Sequence, residues 1–213
     1  CDPFALRFYR RILPLLQKEL ESHDVVLSMA LGCHPKTAGV MAYDRNWKYL
    51  PDAFFTELTE FAAELSCNPM YSTHLVAWGE CGLDYSHKRY GGEEYNRRSQ
   101  QNLFRKQLEF ANEGTLRRLP VVIHSRDAER DTLTIMKELL DKERPIHMHA
   151  FMPKDVTVID TYLKEFRNLF IGFAGCIQQE SRERAKCCPV DRIVLETDSP
   201  WLAPPSMVDN PWV

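Results

Sequence analysis

Two apolar runs in this 213-residue chain lead straight into acids. Val76-Ala77-Trp78-Gly79 meets Glu80 and then Asp84, and Val194-Leu195 meets Glu196 and then Asp198. A carboxylate at the end of an apolar strand costs several kcal/mol if it is buried unpaired, so it usually meets a cation, a set of donors or water. Three histidines, His34, His124 and His149, fall at the ends of other apolar runs. Histidine and carboxylate together suit zinc, manganese or magnesium, and two ions sharing a carboxylate suit phosphoester hydrolysis. A Glu80 that bridged two ions would explain an acid at a dry strand end. Asp198 would then hold one ion and position an attacking water.

Each residue also has an ordinary reading. A single strand-end histidine is more often a hydrogen-bonded core residue than a ligand. Glu80 alone can pair with a lysine, and Asp198-Ser199-Pro200 can be only a cap and a turn. It is the set of five on one rim that favours a metal site.

The elements that must position this set alternate. Apolar positions at helical spacing mark helices over 4–22 (Phe8, Ile12, Leu15, Leu16), 52–66, 93–114, 127–142, 155–166 and 178–187. Short apolar runs mark strands over 25–32, 75–81, 119–124, 145–150, 169–173 and 192–197. Strands alternating with helices imply a parallel sheet, whose functional edge is the C-terminal one. Five ligand-type residues sharing one rim favour a closed barrel over an open sheet. The expected fold class is therefore α/β, a TIM-type (β/α)8 barrel. Six strands are counted where eight are needed, so about two strands are expected to be missing or degraded, the first strand among them, together with the last helix. Residues 1–213 are read as a single domain of this incomplete barrel.

Composition sets the outer limits. The hydrophobic share is 44% and the charged share 27%, enough for a full core. The net charge of −3 gives no global attraction to nucleic acid, so any such contact must be local. No apolar run is long enough to span a membrane. Seven cysteines at irregular spacing, with no CxxC pair, read as reduced thiols of an intracellular protein, cytoplasmic or nuclear. The expected state is a monomer with no membrane partner.

Four segments carry a resemblance. GECGLDY (79–85), LPVVIHSRDA (119–128), HAF (149–151) and ETDSPWLAP (196–204), with the helix QQNLFRKQLEFA (100–111) between them, resemble the TatD-family metal-dependent hydrolases. GCHP (32–35) adds a weaker match. The similarity runs along essentially the whole chain and is weakest over 36–72. It implies a barrel nuclease with two divalent metal ions (Mg, Mn or Zn). By this resemblance Glu80 matches the bridging glutamate, and His124 and His149 complete the second metal. Asp198 matches the aspartate of the first metal, and His34 lines the phosphate side. His147, two residues before His149, is a second candidate on the same strand face, but His149 is the one followed by Ala-Phe. The family's first strand ends in a His-x-His pair that completes the first metal. No such pair stands upstream of Glu80, so the chain is expected to be truncated at its N-terminus.

The reaction so implied is hydrolysis of a phosphodiester in DNA or RNA, as a nuclease of exonuclease type. Glu80 and Asp198 are the expected catalytic residues. Arg126, with its planar fork, and His34 are the expected phosphate binders. Lys88, Arg89, Arg97 and Arg98 are candidates to guide a nucleic-acid backbone, and Tyr85 and Trp201 to stack on a base. Two alternatives stand beside this. One is an amide or ester hydrolase of the same superfamily, against which Glu80 counts, because that group often carries a modified lysine on the fourth strand. The other is an inactive truncated barrel kept as a binding scaffold.

Overall fold

The structure, a computed structural model, describes residues 3–37, 51–68, 71, 73–86, 93–174 and 179–198. Among the described residues six strands form one sheet: β1 (Met29–Leu31), β2 (Leu75–Asp84), β3 (Val121–Arg126), β4 (Ile146–His149), β5 (Leu169–Ala174) and β6 (Ile193–Glu196). They lie side by side in chain order, and every neighbouring pair is parallel. The helices are α1 (Pro3–Ser22), α2 (Pro51–Cys67), α3 (Glu93–Ala111), α4 (Glu129–Leu139), α5 (Thr157–Glu165) and α6 (Gln179–Lys186). A parallel pair needs a crossover, and helices supply it here between consecutive strands. The result is a curled half-barrel of six parallel strands.

Alternation along the strands decides what each face does. On β3, Val121, Ile123 and Ser125 are buried, while Val122 and His124 are half-buried and Arg126 is exposed. On β4, Ile146 and Met148 are buried, while His147 and His149 are half-buried. With a two-residue period, one face of the sheet carries core residues and the other carries the chemistry. α3 packs on β2, α4 on β3, and α5 on β5. Trp78, Phe104, Phe151, Tyr162 and Phe166 are fully buried in the core, and the Tyr162 hydroxyl donates to the Glu129 carbonyl at 2.6 Å.

Several expectations need correction. β2 does not stop at Cys81 but runs on to Asp84, so Glu80 lies inside a strand rather than at its end. The ladder to β3 is irregular between Trp78 and Cys81, which marks a bulge at Glu80. Gly79 (φ 138°) and Gly82 (φ 146°) flank it; a Cβ on either would fall within 2.3 Å of a β3 carbonyl oxygen. The helix expected over 93–114 ends at Ala111, and Gly114 opens a 3-10 turn (Gly114–Arg118) at φ 48°. Among the described side chains of α1 the buried ones are Leu6 and Leu13, seven apart, whereas Phe8 and Leu15 are 56% and 69% exposed. α1 packs against α2, and its buried stripe is narrower than its apolar content. No helix of the described residues is long and apolar enough to cross a membrane.

Candidate metal centre at the strand ends

Glu80 is the meeting point. The bulge in β2 places its carboxylate where three imidazoles from three other segments approach one oxygen. His124 Nδ1, from β3, is 2.7 Å from Glu80 Oε1. His34 Nε2, three residues past β1, is 3.7 Å from the same oxygen, and His149 Nε2, at the end of β4, is 3.9 Å from it. The His34 and His124 rings meet edge to face with centroids 4.5 Å apart. Asp198 joins from two residues past β6, its Oδ1 3.1 Å from His149 Nε2. Asp198 has φ 54°, a left-handed conformation that aspartate tolerates better than most residues. The structure thus brings together His34, Glu80, His124, His149 and Asp198. Arg126 ends β3 on the face that His124 shares, exposed to solvent at the rim.

The charges respond to one another. Burial works against ionising Glu80, but the hydrogen bond and charge of His124, with His34 and His149, outweigh it and hold the pKa down at about 2. Burial likewise opposes a charge on His149, yet Glu196, Glu80 and Asp198 together lift it to about 9. His124 is also raised, because Asp84 and Glu80 overcome its burial. His34 goes the other way: burial first, then the neighbouring His124, lower it to about 4. The Lys36 N–H donates to His34 Nδ1 at 3.1 Å. A neutral His34 therefore carries its proton on Nε2 and turns a donor, not a lone pair, to the site.

Two acids beyond the expected set, and His147, the second candidate on its strand, belong to the cluster. Asp84, fully buried at the end of β2, has Oδ2 3.5 Å from His124 Nε2. Glu196, the last residue of β6, places Oε2 against His149 Nδ1 and 3.4 Å from His147 Nε2. The Ala150 N–H donates to the other oxygen of Glu196, from a residue held at φ 43°. β5 separates β4 from β6, and His147 and Glu196 reach across it over Gly172. A Cβ there would lie 2.1 Å from Glu196 Oε1 and 2.5 Å from His147 Nε2. The two-residue spacings 147/149 and 196/198 were the available signal, since each pair shares a strand face. Nothing in the spacing says that Glu196 and the histidines meet over an intervening glycine.

The donor chemistry fits a divalent cation. The groups His34–Glu80–His124 and His147–His149–Glu196 each bring three ligand-type atoms within 4.8 Å of one another. Imidazole and carboxylate donors of this mix suit zinc or manganese, and the carboxylates suit magnesium as well.

The Arg97 guanidinium lies over the Tyr85 ring, 4.6 Å from its centroid, and the Tyr85 hydroxyl donates to Asp131 at 2.9 Å. These two residues pack on each other at the mouth of the site. Arg98 is exposed on α3, while Lys88, Arg89 and Trp201 lie outside the described residues.

The chain is similar to known proteins over most of its length. The family described as TatD related DNase matches residues 9–212. The human 3'-5' RNA nuclease TATDN2 is 32% identical over 208 residues, covering 96% of this chain and 23% of that protein. The 3'-5' ssDNA/RNA exonuclease TatD of Erwinia tasmaniensis is 37% identical over 145 residues, covering 66% of this chain and 52% of that protein. The chain spans between about a quarter and about half the length of these two relatives. Among solved structures, a TatD-family hydrolase of Entamoeba histolytica superposes with a TM-score of 0.70 at 20% identity, over 92% of this chain and 57% of that one. An uncharacterised amidohydrolase of Saccharomyces cerevisiae gives 0.72 at 22% identity, over 88% and 60%. By the reach of the sequence match, this chain belongs to the TatD-related DNase family.

Proposed function

We propose that residues 1–213 are one hydrolase domain that cleaves phosphodiester bonds of DNA or RNA, from a 3' end, with two divalent cations (Mg, Mn or Zn). The observation that carries this is the convergence of three imidazole nitrogens on one oxygen of Glu80. The names of the relatives supply the substrate class and polarity. Glu80 would bridge the two ions, with His124 and His149 completing one site and Asp198 contributing to the other. Bound there, the ions would lower the pKa of a water and stabilise the leaving oxygen.

The chain's own residues do the rest. Asp198 would accept the proton of the attacking water. His34, held with its proton on Nε2 by the Lys36 N–H, would donate to a non-bridging phosphate oxygen. Its depressed pKa supports a neutral donor at physiological pH. Arg126 would hold a neighbouring phosphate from the rim. The five described cysteines are free thiols, which supports an intracellular setting.

Nucleotide release from single-stranded DNA and RNA with magnesium or manganese tests the reading. The chain, its Glu80→Ala form and a chelator control are compared. Metal-dependent release that Glu80→Ala abolishes supports it. Release that persists in Glu80→Ala or under chelation overturns it.

A further inference from the structure

His124 and His149 each face the centre with one ring nitrogen and have a carboxylate behind the other. His149 turns Nε2 to Asp198 at 3.1 Å and Nδ1 to Glu196. His124 turns Nδ1 to Glu80 at 2.7 Å and Nε2 to Asp84 at 3.5 Å. The same relationship is thus built twice with opposite ring nitrogens, from strands β2 and β3 in one case and β4 and β6 in the other.

Both carboxylates are held in place for this. The Ser86 N–H donates to Asp84 Oδ1 at 3.0 Å, and the Ser86 hydroxyl donates to the same oxygen. Asp84 Oδ2 and His124 Nε2 are both fully buried and lie 3.5 Å apart, and neither has a hydrogen-bond partner. A buried carboxylate oxygen whose one polar neighbour is a ring nitrogen is costly unless that nitrogen carries a proton. Glu196 is fixed by the Ala150 N–H and by the space over Gly172.

A ligand histidine needs a lone pair on the nitrogen facing the ion, so its proton must sit on the other nitrogen. A carboxylate there holds that tautomer, fixes the ring and makes it a stronger ligand. We infer that Asp84 and Glu196 are positioning residues that hold protons on His124 Nε2 and His149 Nδ1, and so present His124 Nδ1 and His149 Nε2 to the cations. This rests on the two-cation reading. The competing role for Glu196 is as a ligand itself, with His147 and His149. Its oxygen lies in hydrogen-bond contact with His149 Nδ1, and that contact takes up the lone pair such a site would need.

The experiment uses zinc with the full 213-residue chain, its Asp84→Asn and Glu196→Gln forms, and Asp84→Glu as a rescue. Zinc stoichiometry and affinity are read by competition with a chromophoric chelator. Long-range proton–nitrogen correlations in the zinc-loaded wild type show which ring nitrogens carry protons. The expected result is protons on His124 Nε2 and His149 Nδ1. Each amide variant should keep the wild-type stoichiometry with an affinity about 10–100-fold weaker, and Asp84→Glu should recover part of it. Wild-type affinity in both amide variants, or protons on the opposite nitrogens, overturns the inference. The ring protons are read on the wild type, so a variant that fails to fold leaves that arm standing. A stoichiometry that drops by one in Glu196→Gln makes Glu196 a ligand and overturns its positioning role. A wild type that takes up no zinc overturns the two-cation reading and this inference with it. That outcome is distinct from zinc binding that is insensitive to the variants.

Discussion

Gln107 and Cys33 exchange two hydrogen bonds across 74 positions of sequence: Gln107 Nε2 donates to the Cys33 carbonyl at 3.0 Å, and the Cys33 N–H donates to Gln107 Oε1 at 2.6 Å. Cys33 immediately precedes His34. Two turns earlier on the same helix, Gln100 does the same for Asp84, with bonds of 2.8 and 2.7 Å. α3 therefore fixes the backbone at the ends of two strands that supply the centre.

Gln107→Leu should show this. It fills the same volume but leaves a buried N–H and a buried carbonyl unpaired, each costing about 1–3 kcal/mol. The urea midpoint should fall with an unchanged slope. A change under about 0.5 kcal/mol would mean that the clamp contributes nothing.

Gly172→Ala tests the space between β4 and β6. Its Cβ would fall 2.1 Å from Glu196 Oε1 and 2.5 Å from His147 Nε2, so these side chains must shift, which disturbs the contact of Glu196 with His149. Nuclease activity and zinc affinity should drop further in Gly172→Ala than in His147→Ala. Equal effects would show that the glycine opens nothing that the site uses.

The metal-free protein should be most stable near pH 6.5. His149 has a folded pKa of about 9 against an ordinary 6.5, so its contribution is complete below 6.5 and is lost as the pH rises through 9. His34 is lowered to about 4 from 6.5, so its contribution is complete above 6.5 and is lost as the pH falls through 4. Glu80, at about 2 against 4.5, adds a loss as the pH falls below 4.5. Added zinc should remove the alkaline loss, because the cation replaces the proton on His149. Urea midpoints across pH, with and without zinc, check both points. A monotonic profile would contradict the assignment of opposite shifts to His34 and His149.

Arg126→Ala should raise KM on single-stranded substrate and lower the slope of log affinity against log salt by about 1. Arg97→Ala should change the salt slope less, because Arg97 already lies on Tyr85. If the two variants behave alike, Arg97 is a substrate contact after all.

Much of this was legible in the chain itself. Alternating helix and strand periods determined a parallel α/β architecture, because each period shows locally which face of an element is apolar. The residue types at the strand ends named the chemistry, and the motifs around Glu80, His124, His149 and Asp198 named the family. Tertiary structure alone decided the rest. Glu80 reaches its neighbours from a bulge inside β2, and a bulge depends on pairing with another strand. Glu196 and Asp84 were in plain view in their motifs. What lies behind a histidine is settled only when β4 closes across Gly172 on β6 and β2 lies against β3. On α1, Leu6 and Leu13 are buried while Phe8 and Leu15 are not, because the α2 surface decides which part of an apolar stripe is covered. Local periodicity orients a side chain, but its partner is chosen by segments tens of residues away, and the energies of this site lie in those pairings.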